Sequence, residues 1–191
     1  MKNFSIIIVW LFFIGCSTTE VKRSKNLESD LKTLKRIVVV VENNRAMAKE
    51  EIGLIFEMTK NYISHHKEFI VYVKRNEKFS CKEDSKIQGI FTIRLRESQK
   101  SDQIAILAIG QLVNCKTSEE VWSGLVEKTF PIDEKENASL VKTYTEKFGN
   151  KIQSKVTPYF LVIKKLLDNL ENPVPLSEDE QNEKIEIESE S

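Results

Sequence analysis

The chain has 191 residues, 40% of them apolar and 30% charged, with 29 Lys and Arg against 29 Asp and Glu. Neutrality excludes a global field that would draw in nucleic acid or an anionic bilayer, and the length suits one domain with its own core rather than two. That balance is uneven: between Ser177 and Ser191, seven acidic residues from Glu178 to Glu190 face only Lys184, so the remainder is mildly basic.

At the amino terminus, Lys2 and the apolar run from Phe4 to Gly15 have the form of a signal peptide. The run is too short for a membrane span of about 20 residues. Phe13-Ile14-Gly15-Cys16 resembles a bacterial lipobox. It has a large apolar side chain, then a small Gly where the peptidase approaches, then the thiol that becomes lipid-modified; Phe stands where Leu is commonest. The expectation is a signal over residues 1–15, lipidation of Cys16 and a polar tether over 16–34. An ordinary cleaved secretory signal, or an apolar helix with an incidental cysteine, is the competing reading. One acyl chain holds only marginally at about 0.8 kcal/mol per buried methylene, so a cysteine with two or three chains would be stably anchored. Residues 35–172 then form a single domain, and 173–191 an acidic tail. This tail is expected to be solvated, although Lys184-Ile185-Glu186-Ile187-Glu188 alternates and leaves open a terminal strand on a sheet edge.

Within the domain, Arg36 to Val41 is a β-branched run that predicts a strand covered on both faces. Asn43 or Asn44 offers a helix N-cap, and Ile52, Ile55, Phe56, Thr59, Tyr62 and Ile63 fall on one helical face. Phe69 to Val73 is a second buried strand, which makes a parallel βαβ unit. The next three segments alternate: Phe91, Ile93 and Leu95 oppose Thr92, Arg94 and Arg96, and Trp122, Val126 and Phe130 share a face. Short polar turns between them predict an antiparallel meander with one helix-poor face. Apolar residues from Leu140 to Leu170 then step by three and four, a helix of about thirty residues with a kink expected at Pro158. The fold class is α+β: a mixed five-stranded sheet with two main helices on one face.

Cys81 and Cys115 are the second informative pair. If the first hairpin turns near Gln99 or Lys100, Cys115 lies opposite about residue 84, and in an oxidising envelope compartment the two are expected to form a disulfide. Two buried free thiols are the alternative. His65 and His66 are adjacent, so on a helix they point about 100° apart and cannot share one metal; their expected partners are the exposed carbonyls at the helix end. Glu50-Glu51 and Glu119-Glu120 read as solvated turns, the glycines are isolated, and Trp122 reads as core packing. No catalytic residue, metal or cofactor is assigned.

Val121-Trp122-Ser123-Gly124 and the element order over 36–170 resemble the small periplasmic domains of the TolB amino-terminal and LpoB type. More broadly, the mature chain resembles an uncharacterised family of bacterial envelope lipoproteins. That likeness rests on Lys35-Arg36-Ile37-Val38-Val39, Lys67-Glu68-Phe69-Ile70-Val71, Cys81, Gly89, Cys115, Glu119-Glu120-Val121-Trp122, Val156-Thr157-Pro158-Tyr159-Phe160 and Glu183-Lys184-Ile185-Glu186. The resemblance implies a fold and an envelope location, with no chemistry. The expected function is a non-enzymatic binding or assembly module held in the cell envelope, in the outer membrane, by its lipid. Its partners are the membrane and an envelope protein rather than nucleic acid. The alternative is an envelope hydrolase built from scattered carboxylates and His65 or His66.

Overall fold

The computed structural model describes residues 17–42, 47–73, 79–82, 84–100, 102–131 and 137–189. The signal segment, Cys16, Asn43 and Asn44 lie outside them. The described residues form one mixed sheet of six strands, β1 Thr18–Arg23, β2 Arg36–Val41, β3 Ile70–Tyr72, β4 Gly89–Lys100, β5 Gln103–Asn114 and β6 Glu120–Pro131. Their spatial order is β1-β6-β5-β4-β2-β3.

The parallel unit and the meander form as expected. β2 pairs in parallel with β3 through helix α2, Lys49–His66, and β4, β5 and β6 follow as antiparallel neighbours. β4 also pairs in parallel with β2, so the segment after β3 crosses over β2 to start the meander. The expected count of five strands is corrected to six. The additional strand is β1, six residues read from sequence as tether, which lies antiparallel along β6 from Thr18↔Glu127 to Arg23↔Trp122. It is polar and mostly exposed, since an edge strand is held by its backbone ladder and needs little apolar content.

The rest of that stretch is also folded. Leu27, Leu31 and Leu34 are buried around the short helix α1, Leu27–Asp30. Their spacing of four and three is a helical stripe, so this part of residues 16–34 packs on the core and is not a tether.

A second correction concerns the long helix. It is divided into α3, Ala138–Phe148, a 3-10 turn over Asn150–Ile152, and α4, Gln153–Asp168. The break falls at Gly149, whose φ of +86° a residue with a side chain adopts only under strain, and the helix continues through Pro158. Pro158 lies six residues into α4, where it forgoes the bond to the Ser154 carbonyl without ending the helix.

Alternation on the meander puts Phe91, Ile93, Leu112, Trp122, Val126 and Phe130 against Leu54, Ile55 and Met58 of α2 and Val156, Tyr159 and Leu166 of α4, all essentially inaccessible. At the centre of this seam Gly110 pairs with Gly124 across β5 and β6. A Cβ on Gly124 would lie 2.6 Å from the Trp122 ring, so the two glycines leave the space in which Trp122 and Leu166 sit. Trp122 is core, as expected, and its indole N–H donates to the Asn169 carbonyl at 3.1 Å. Among the described residues no helix is long and apolar enough to cross a membrane.

Candidate functional site

The acidic segment is neither a free tail nor a strand. Residues Glu178–Ser189 form a helix, α5, that packs beside β3. Its start is locally encoded by a capping box: Ser177 N–H donates to the Glu180 carboxylate at 2.8 Å, and Glu180 N–H to Ser177 Oγ at 3.4 Å. Glu178, Asp179 and Glu180 occupy the first turn, where the exposed N–H groups favour negative charge. Ser177-x-x-Glu180 was therefore a legible helix signal, obscured by the charge density around it. The alternation of Ile185 and Ile187 is incidental, since Ile185 is 65% exposed.

No residue of α5 is buried, and polar contacts carry the docking. Lys35 Nζ donates to Glu180 at 2.6 Å and to the Pro175 carbonyl at 3.2 Å. The Arg36 guanidinium forks onto the Glu183 carboxylate at 2.5–3.1 Å, and the Tyr72 hydroxyl donates to the same carboxylate. Lys184 Nζ reaches the Lys67 carbonyl at 2.9 Å. Arg36 opens β2 with Lys35 just before it, and β3 brings Tyr72 alongside because Val38 pairs with Tyr72.

The electrostatics are mutual. The hydrogen bond from Lys35, then the Ser177 N–H, hold the Glu180 carboxyl down to about 2. Arg36 keeps Glu183 below the ordinary carboxylate range, while burial and then the bond to Glu183 push Tyr72 up to about 12.

This corner is continuous with the disulfide. The Gln88 side-chain carbonyl accepts from both Lys35 N–H and Arg36 N–H, at 2.8 and 2.9 Å, while its backbone carbonyl accepts from Cys115 N–H at 2.8 Å. Cys81 and Cys115 are bonded, with Cα atoms 5.2 Å apart, and tie the β3–β4 crossover to the β5–β6 turn. The hairpin turns two residues later than expected, so Cys115 lies beside Gln88 rather than opposite residue 84. A cleft of about 320 Å³ lies beside the disulfide, between Leu34, Asn114 and Lys116.

The histidines do not join this corner. His65 Nδ1 donates to the Asn61 carbonyl at 2.7 Å, in the last turn of α2, and the His66 ring packs on Tyr62. Tyr62 in turn donates to Asp168, which Lys164 also holds, pinning α2 to α4. Glu51 and Glu97 hold Lys155 at 2.8 and 3.4 Å, and the Tyr159 hydroxyl donates to Glu97. Among the described residues no group of three or more His, Cys, Asp and Glu is placed to hold a metal. Chemically, the basic corner is suited to holding carboxylates.

No protein-family model matches the chain, and no curated protein matches it in sequence. Solved structures share its shape. The PelC dodecamer from Paraburkholderia phytofirmans aligns over 80% of this chain and 95% of that one, with a TM-score of 0.52 and 11% identity. The hypothetical protein CT253 from Chlamydia trachomatis aligns over 71% and 95%, with a TM-score of 0.51 and 5% identity. A bacterial lipoprotein, GNA1162 from Neisseria meningitidis, is a more distant likeness, at 62% and 97% coverage, a TM-score of 0.40 and 14% identity. At these identities the first two show a shared fold alone, and the third carries no argument. The chain thus shares an α+β fold with the first two.

Proposed function

We propose that this chain is an envelope lipoprotein, anchored through an acylated Cys16, whose domain is a non-enzymatic binding or assembly module. The observation that carries the binding half of this reading is the Lys35–Arg36–Tyr72 corner, which holds an acidic helix through polar contacts and buries none of its residues. Contacts of that kind exchange readily, because partly exposed ion pairs are worth only about 0–1 kcal/mol each and weaken with salt. An acidic segment of an envelope protein is the chemistry that would compete for the same corner. The lipobox supports the anchoring half and, with it, an envelope location, and Ser17 after the cysteine is a weak argument against inner-membrane retention.

Two experiments test the halves separately. Intact-mass analysis of membrane-extracted protein should show loss of residues 1–15 and added acyl mass, and Cys16→Ala should release the protein from membranes. A labelled peptide of residues 177–191 should bind protein truncated after Leu176, less tightly as salt rises and not at all with Arg36→Ala. Salt-independent binding that survives Arg36→Ala would remove the corner as a recognition site.

A further inference from the structure

The strand that replaced the expected tether fixes how the domain meets the lipid. β1 begins at Thr18, with only Ser17 between it and Cys16. Two steps of 3.8 Å keep the Cys16 Cα within about 8 Å of the Thr18 Cα whatever path the backbone takes. Thr18 is no loose end: it pairs with Glu127, which pairs with Leu107, which pairs with Arg96, so its level on the sheet is set across four strands.

β1 runs from this level away toward Arg23, so the chain enters β1 from the end of the sheet where β4 turns into β5. β4, β5 and β6 each run four residues beyond that level, roughly 13 Å at 3.3 Å per residue. The hairpin tip thus reaches at least as far as the lipid attachment point. Its sequence, Ser98-Gln99-Lys100-Ser101-Asp102-Gln103, is wholly polar, which suits a headgroup layer and excludes insertion into hydrocarbon. The opposite end of β5, a strand of 12 residues, lies roughly 40 Å away. It carries the disulfide and, through Gln88, the Lys35–Arg36 corner.

We infer that the lipidated protein stands directly on its phospholipid leaflet, the β4–β5 hairpin tip among the headgroups and the disulfide end turned away from the membrane. This rests on the acylation of Cys16 proposed above. Its consequence is that a partner meets the disulfide end and the C-terminal helix, while the hairpin end is closed to anything but lipid.

The test uses full-length lipidated protein in phosphatidylethanolamine–phosphatidylglycerol vesicles with a nitroxide on the headgroup. Tryptophan is added at one of two exposed positions, Ser98→Trp at the tip or Thr117→Trp at the β5–β6 turn, with buried Trp122 as a constant background. Emission added by Ser98→Trp should be lost to the nitroxide, and that added by Thr117→Trp retained. A ten-residue Gly-Ser insertion after Ser17, spanning about 18 Å, should restore the Ser98→Trp emission. Equal quenching at both positions, or quenching at Ser98→Trp that the insertion leaves unchanged, overturns the inference while the acyl mass on Cys16 stands. Absence of that mass overturns the anchor and the inference together.

Discussion

β1 and α5 close opposite edges of one sheet, and both arise from polar segments whose composition suggests tails. β1 is held by a backbone ladder of six residue pairs along β6, with Val21 turned toward the core. α5 is held by side chains alone, through Lys35, Arg36, Tyr72 and Lys184. A ladder depends on register and is indifferent to ionic strength, whereas ion pairs at partial exposure respond to both salt and protonation. The C-terminal edge is thus the one expected to respond to salt and acid, and the N-terminal edge is not.

The largest expected effect breaks the N-terminal side. Trp122→Ala removes a fully buried ring from β6 where Arg23 of β1 pairs with it, and should cost about 3–5 kcal/mol in urea unfolding. Amide exchange in β1 should rise with it while the α5 contacts persist. Next comes the disulfide, which ties the turn after β5 to the crossover from β3 and so links the two regions. Reduction, or Cys81→Ala with Cys115→Ala, should lower stability by roughly 3–4 kcal/mol on the entropic account of a closed loop of this length. Comparison of thermal unfolding with and without reductant measures it.

Arg36→Ala sharpens the contrast on the other side. It leaves Glu183 without its guanidinium, and should cost about 1–2 kcal/mol at low salt and less at high salt. Exchange in α5 should rise and that in β1 should not. The smallest effect is a pH response confined to α5. Because Lys35 and the Ser177 N–H hold the folded Glu180 at about 2, the carboxylate protonates more readily when the helix is released. Its contribution is complete above the ordinary carboxylate range and is lost as pH falls toward about 2. Helix release followed by exchange or by nuclear magnetic resonance should show this transition in the parent protein, and Glu180→Gln should remove it. A β1 that opened in the same acid window would erase the distinction between the two edges.

What the amino-acid order determined by itself was the set of elements whose pattern is local. Five consecutive β-branched and apolar residues from Ile37 to Val41, the alternation through Phe91, Ile93 and Leu95, and the face shared by Trp122, Val126 and Phe130 each state a burial requirement within a few residues. So did the proximity of Cys81 and Cys115, since a hairpin fixes which residues come near each other. Three further local signals were legible but outweighed: Leu27, Leu31 and Leu34 as a helical stripe, Gly149 as a helix end, and the Ser177–Glu180 capping box. Only the tertiary structure decided that Thr18–Arg23 is a strand and where the Glu178–Ser189 helix docks. An edge strand without an apolar face gains its hydrogen bonds from β6, and a helix without one gains its place from Lys35 and Arg36. Both partners are more than 90 residues distant in sequence, where no periodicity can announce them.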